Sequence, residues 1–302
     1  MAESVLTTDE HTGAFEARRP FLAGLAYRIL GSRSDAADAV QDTFLKWSLA
    51  DRRAIANPAA WLTTTCTRRC IDMLRAARRA RIDYIGGWLP EPIQAATDDT
   101  PESASELASS LSMAFLLLLE RLAPKERAAF LLHDVFDQSY DEVAHTLGVQ
   151  ESTCRKLVSR ARAKVGKDNA PNIVPQERQE ELLSAFRTAI TTGVTAPLAA
   201  LMSQDIALRA DSGGKAPAPL KPIIGRENVL AFLTGVLGKA WETHEWRATD
   251  LNGTRGALLY AGGRIVAAVG FASDPSGGLS TIFLMRNPDK LARLASSDPA
   301  LR

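Results

Sequence analysis

The chain has little cysteine. Three thiols, Cys66, Cys70 and Cys154, in 302 residues are too few, and odd in number, for a disulfide framework, and they suit a reducing compartment. Cys66 and Cys70 share a helix face at i, i+4, but no second Cys or His pair completes four ligands. The expectation is therefore packed thiols, no metal and no cofactor. No apolar run approaches the roughly 20 residues needed to span a bilayer. The opening stretch, MAESVLTTDEHTGAFEARRP, lacks the basic-then-apolar order of a secretory signal. The expected location is the cytoplasm, with no membrane partner. Net charge is also nearly absent, at +1, so bulk charge selects no partner.

What charge there is lies in blocks. Residues 66–81 hold six arginines (Arg68, Arg69, Arg75, Arg78, Arg79, Arg81) against Asp72. Residues 151–167 hold Arg155, Lys156, Arg160, Arg162, Lys164 and Lys167 against Glu151. Between them, 82–108 carries six acids and no base. Two basic blocks flanking an acidic one predict two polyanion-binding surfaces and a solvated connector. In that connector Trp88 and Leu89 are out of place and are expected to dock on something. At this length two or three domains are expected.

Periodicity supplies the elements. Phe21, Leu22, Leu25, Ala26 and Ile29 repeat at helical spacing up to a stop at Gly31. Ser34 is the expected cap of a helix over 35–49, with Asp35 and Asp38 in its first turn, where the dipole favours acids. Asn57-Pro58 opens a third helix over about 59–81. After an aperiodic, Gly- and Pro-rich stretch to about 110, helices are predicted at 111–122, 124–135, 139–147 and 151–165. A break near 170–175 follows. Beyond it lie helices at 176–191, 196–202 and 226–237, and strand-like runs at 206–209, 244–250, 257–260, 264–271 and 280–286, with turns at Gly262-Gly263 and 275–278. That order suggests an α+β cone or curved sheet.

The most specific local signal is a helix-turn-helix. Gly148 supplies the positive φ of the turn. Val143, Ala144, Leu147, Val149, Cys154, Leu157 and Val158 form the small core across the two helices. The opposite face of the second helix presents Ser152, Thr153, Arg155, Lys156, Ser159 and Arg160. Its first residues suit base edges, and the later bases, Arg162 included, suit phosphates.

Asp35-Ala36-Ala37-Asp38-Ala39-Val40-Gln41-Asp42-Thr43-Phe44 resembles the region-two signature of extracytoplasmic-function sigma factors. Asn57-Pro58-Ala59-Ala60-Trp61-Leu62 resembles the start of their promoter-reading helix. Leu119-Glu120-Arg121-Leu122-Ala123-Pro124-Lys125-Glu126-Arg127 and Ser159-Arg160-Ala161-Arg162 resemble their region-four landmarks. The class often carries Arg where this chain has Leu157. The resemblance implies core RNA polymerase and promoter DNA as partners. Asp35, Asp38, Gln41, Asp42 and Phe44 would meet a basic, amphipathic helix of the polymerase. Asn57, Trp61, Arg68 and Arg69 would meet melted DNA, where aromatics stack on bases and arginines follow the backbone; Trp61 reads equally as core.

The tail is similar to a SnoaL-like cone, and more particularly to that of sigma factors of this class that carry one in fusion. Tyr84-Ile85-Gly86-Gly87-Trp88-Leu89-Pro90-Glu91-Pro92 resembles their linker motif. Asp211-Ser212-Gly213-Gly214-Lys215 resembles their Asp-Gly-Gly-Gly-Lys motif, with Ser212 for a glycine. Asn287-Pro288-Asp289-Lys290-Leu291 resembles their C-terminal motif. The implied layout is two all-α domains, the second a helix-turn-helix, followed by an α+β cone: 11–83, a linker over 84–110, 111–169 and 176–292. Trp88, Leu89, Pro90, Asp211, Gly213, Gly214, Lys215, Asn287, Pro288, Asp289 and Lys290 are the expected interdomain regulatory residues. A catalytic tail would use Asp211 as base with His244 or Lys215, but no convincing acid–base pair supports it, and no catalytic residue is assigned. The cone's cavity offers room for a small-molecule ligand. A stand-alone helix-turn-helix regulator with a ligand-sensing tail is the other reading; it leaves the 35–44 and 57–62 elements unexplained.

Overall fold

The computed structural model describes residues 8–51, 54–94, 110–166 and 174–297. The acidic half of the expected connector (95–109) and most of the expected break at 170–175 lie outside them. The chain divides into two compact units, Met1–Ile82 with Leu119–Gly166, and Asp83–Leu118 with Lys167–Arg302.

The first unit begins with helix α1 (Thr8–Leu30), α2 (Arg33–Leu49) and α3 (Pro58–Ala80). Gly31 ends α1 at φ 67°, its N–H on Tyr27 O at 2.7 Å. The cap of α2 is Ser32 and not the expected Ser34. Ser32 Oγ accepts from Asp35 N at 3.2 Å, which puts Arg33 and Ser34 inside the first turn. Asn57 caps α3 by accepting from Ala60 N at 3.0 Å, and Pro58 occupies a position whose N–H has no helical partner to lose. Leu22, Leu25, Ala26 and Ile29 of α1, Val40 and Trp47 of α2, and Leu62, Cys66, Cys70, Ile71 and Leu74 of α3 are buried, as their spacing requires. Cys66 and Cys70 are free, packed thiols. A mutual hydrogen bond, then burial, push the Cys70 thiol up.

Helix α4 (Met113–Leu119), which up to Leu118 belongs to the second unit, is shorter than the expected 111–122; at its start Ser112 Oγ accepts from Phe115 N at 3.3 Å. Helix α5 (Pro124–Phe130) runs on into a wider π turn at Leu131–Val135. Helices α6 (Tyr140–Leu147) and α7 (Glu151–Val165) form the helix-turn-helix. Ser139 and Glu142 cap α6 reciprocally, at 2.8 Å and 3.3 Å, a capping box. Gly148 closes the helix in the left-handed region, at φ 61° and ψ 49°.

The second unit has helices α8 (Gln176–Thr192) and α9 (Ala196–Leu201), then strands β1 (Met202–Asp211) and β2 (Ile223–Ile224). Helix α10 (Arg226–Phe232), α11 (Gly238–Trp241), strands β3 (Glu245–Leu251), β4 (Thr254–Ala261), β5 (Arg264–Ser273) and β6 (Leu279–Met285), and helix α12 (Pro288–Ser297) follow. The sheet order is β2-β1-β6-β5-β4-β3, antiparallel except for β1 beside β6. Alternation along the strands sorts two cores. Leu259, Val269, Phe271, Ile282 and Leu284 face α8–α11, around Phe186 and Trp241. Leu258, Tyr260, Ala268, Phe283 and Met285 face the other way and pack with Leu89, Met113, Leu291 and Leu294. The turn at Asn252-Gly253, with φ 53° and 74°, was not among the expected ones.

Candidate nucleic-acid interface

The buried side of α7 consists of Cys154, Val158, Ala161 and Val165, facing Val143, Ala144 and Leu147. Leu157 and Val149, expected in that core, are half-buried at its rim. The other side is open: Ser152, Thr153, Arg155, Lys156, Ser159, Arg160 and Arg162 are all exposed. Two of the bases are oriented from within. Arg155 pairs with Glu151, Nε to Oε1 at 2.9 Å, with its guanidinium 4.2 Å from the centre of the Tyr140 ring. Arg162 pairs with Asp134 at 3.0 Å.

Helix α3 tells a different story. Arg69 does not stand free for a nucleic acid; its Nε lies 2.6 Å from Asp42 Oδ2, so two residues expected to meet separate partners meet each other. Arg68 donates to Thr146 O at 3.1 Å and His145 O at 3.4 Å, at the last turn of α6. Arg78 reaches Glu120 O and Leu122 O at 3.0 and 2.5 Å, and Arg81 reaches Leu30 O at 3.4 Å and Glu120 Oε2 at 2.7 Å. Arg127 is 1% exposed; it donates to Ile29 O at 2.7 Å and pairs with Glu120 at 2.7 Å. Burial draws its guanidinium down to about 10, so it remains charged at neutral pH. Four arginines thus close helix ends, where carbonyls lack partners and the dipole favours cations. Glu120 and Arg127 belong to the region-four motif, and the α1 carbonyl that Arg127 reaches, Ile29 O, is one that no local pattern names. Trp61 is half-buried, with its ring 5.5 Å from that of Trp47.

On α2, Asp38 and Gln41 are exposed, and Asp35, Asp42 and Phe44 are half-buried. Phe44 packs against Phe15, with centroids 4.9 Å apart and the rings tilted by 56°. Two side chains missed by the sequence reading complete this face. Leu45 is 50% and Leu49 87% exposed, and Asp38, Asp42, Leu45 and Leu49 follow at helical i, i+4, i+7, i+11 spacing. The two leucines thus continue the acidic row as an exposed apolar pair.

In the second unit the expected regulatory residues converge. Asp211 is fully buried. Its Oδ1 accepts from Tyr84 OH at 2.5 Å and Gly213 N at 3.1 Å, and its Oδ2 from Leu89 N at 2.9 Å and Lys290 Nζ at 2.7 Å. Lys290 also donates to Leu89 O and lies 4.5 Å from the Trp88 ring centre. Asn287 donates to Tyr84 OH at 2.9 Å; its Nδ2 would lie 2.6 Å from a Cβ on Gly213, so that position excludes a side chain. Pro90 is buried. Lys215 pairs with Asp289, with both side chains more than half exposed. Gly214 N–H bonds Ser212 Oγ at 3.3 Å, so the serine serves this turn in place of a glycine. The two oxygens of Asp211 thus accept from four donors, and neither Lys215 nor His244 is among them. Among the described residues no three His, Cys, Asp or Glu side chains gather as a metal site, and no helix is long and apolar enough to cross a membrane.

Known proteins resemble this chain in sequence and in fold. The Sigma-70 region 2 family matches residues 14–80, and Sigma-70, region 4, residues 112–165. The ECF RNA polymerase sigma factor SigJ of Mycobacterium tuberculosis is 38% identical over 227 residues, 74% of this chain and 72% of that protein. The probable ECF RNA polymerase sigma factor SigI of the same species is 31% identical over 261 residues, 78% of this chain and 90% of that one. The crystal structure of Mycobacterium tuberculosis SigJ superposes with a TM-score of 0.72 at 31% identity, covering 93% of this chain and 98% of that one.

Proposed function

The chain belongs to the extracytoplasmic-function class of RNA polymerase sigma factors, and from that premise we propose that its second unit modulates promoter recognition through the linker. In this reading the working modules are 11–83, the linker over 84–110, 111–169 and the SnoaL-like 176–292. Ser152, Thr153, Arg155, Lys156, Ser159, Arg160 and Arg162 of α7 contact the upstream promoter element. Asn57, Trp61, Arg68 and Arg69 of α3 contact the melted strand once Arg68 and Arg69 leave their present carbonyl and carboxylate partners. Asp35, Asp38, Gln41, Asp42 and Phe44, with Leu45 and Leu49, hold core polymerase in the cytoplasm. The tail does no chemistry; Trp88, Leu89, Pro90, Asp211, Gly213, Gly214, Lys215, Asn287, Pro288, Asp289 and Lys290 seat the linker.

The observation that carries the regulatory part is the seating of linker residues Tyr84 and Leu89 on one fully buried carboxylate, Asp211. Transcription in vitro with core polymerase tests the whole. Asp38→Arg replaces an acid by a base on a face that meets a basic partner, and should abolish co-purification with core while leaving the circular dichroism unchanged. Trp88→Ala and Asp211→Ala should alter transcript yield with core binding intact. Full core binding by Asp38→Arg would refute the α2 assignment, and unaltered yield from both linker variants the regulatory one.

A further inference from the structure

Asn252 sits at the tip of the β3–β4 hairpin, outside every motif named above. It is 1% exposed and adopts φ 53°, a left-handed conformation that asparagine tolerates better than most residues. Its backbone N–H donates to Ile93 O at 2.8 Å. Its side-chain Oδ1 accepts from Ile93 N at 3.2 Å, and its Nδ2 donates to Leu111 O at 3.0 Å. The partners fix the amide orientation, since Ile93 N is only a donor and Leu111 O only an acceptor. Beside it, Gln94 Nε2 donates to Thr249 Oγ1 at 3.0 Å.

Ile93 lies within the linker, and Leu111 just past its end. One side chain bonds both. We propose that Asn252 is a positioning residue for promoter recognition: by holding residue 93 beside residue 111 it shortens the effective connection between the two promoter-reading modules. This rests on the regulatory reading above. Holding two points of a chain together removes freedom that the connection would otherwise have, so the range of spacings available to the modules narrows. The amide supplies both the acceptor and the donor. Ser or Thr is too short to reach both residues, and Asp lacks the donor for Leu111 O.

Two substitutions separate this role from a folding defect. Asn252→Gly fits φ 53° without strain and removes both side-chain bonds. Asn252→Asp keeps the acceptor for Ile93 N and sets a carboxylate against Leu111 O, so it releases that residue alone. In the full-length protein, amide hydrogen exchange at Ile93 should accelerate roughly tenfold in Asn252→Gly, the equivalent of about 1.4 kcal/mol, and stay near wild type in Asn252→Asp. Transcription in vitro by core polymerase is then measured on promoters that differ only in the spacing between their two elements. The wild type should favour a narrow range of spacings, and both variants a broader one. A spacing profile unchanged by both variants, while Asp211→Ala still alters it, overturns the role of Asn252 and leaves the regulatory reading standing. A profile that neither the Asn252 variants nor Asp211→Ala changes overturns both.

Discussion

Asp211 illustrates how a residue's chemistry is set by partners distant in the chain. A carboxylate buried with four donors is stable only while they stay, and one of them is Tyr84 OH, 127 positions earlier. Removing one partner of a buried ion pair leaves the other uncompensated, at a cost of about 3–5 kcal/mol. Asp211→Ala should therefore speed amide exchange at Leu89 and lower the unfolding midpoint of the second unit, whereas Lys215→Ala, which breaks an exposed pair of the kind worth roughly 0–1 kcal/mol, should do neither. Arg160 offers a test of a different kind. It is exposed on α7, and if it neutralises one phosphate, Arg160→Ala should reduce the salt slope of promoter binding by about one. An unchanged slope removes it from the interface. Asp211 and Lys290 stood out in the sequence through a motif, but their pairing did not, nor did that of Asp42 with Arg69. Each pair joins two elements, and a side chain's partner is settled by helix or strand packing that no local spacing encodes.

Helix ends and faces were more legible, because their causes are local. Gly31 and Gly148 stop their helices at positive φ, and Asn57-Pro58 starts one. Where the expectation slipped, a neighbour with the same chemistry won, as with Ser32 for Ser34. The sheet was less legible. Leu258-Leu259-Tyr260 and Phe283-Leu284-Met285 interrupt the alternation of a half-solvated strand and reflect burial on both faces, but no strand says what covers its second face. Here the cover is Leu89, Met113 and α12. The box at the start of α6 yields a pH prediction. The Ser139 hydroxyl and then its amide N–H hold the Glu142 carboxyl below the usual carboxylate range. A depressed carboxylate contributes above its ordinary range and loses that contribution as pH falls through the lowered value. Acid should therefore loosen the first turn of α6, and Ser139→Ala should flatten that dependence in amide exchange at Glu142. An equal acid response in wild type and variant would show that the box does not couple to pH.

For the molecule as a whole, the linker and C-terminal helix share one duty, and two truncations separate their contributions. A cut after Leu284 leaves most of β6 but removes Met285, Asn287, Lys290, Leu291 and Leu294. Asp211 then remains in the sheet without its cation, and the face formed by Leu258, Tyr260 and Phe283 loses the α12 half of its cover. Each of Leu291 and Leu294 contributes roughly 1.5–3 kcal/mol by burial, so the remaining cone should be destabilised and its hold on Leu89 weakened, while Asn252 still reaches Ile93 and Leu111. A cut after Ala170 removes the sheet, Asp211 and Asn252 together, so that Leu89 and Met113 lose their surface entirely. The short truncation should therefore raise amide exchange around Leu89 more than at Ile93, and the long one should raise it equally at both. If the linker restrains the promoter-reading modules, the two truncated proteins should also differ in transcript yield with the same core polymerase and promoter: one keeps residues 93 and 111 held by Asn252, and the other does not. Equal yields, with equal exchange at Leu89 and Ile93 in both, would mean that the tail grips the linker at a single point, and the division between the Asp211 and Asn252 contacts would have no consequence for initiation.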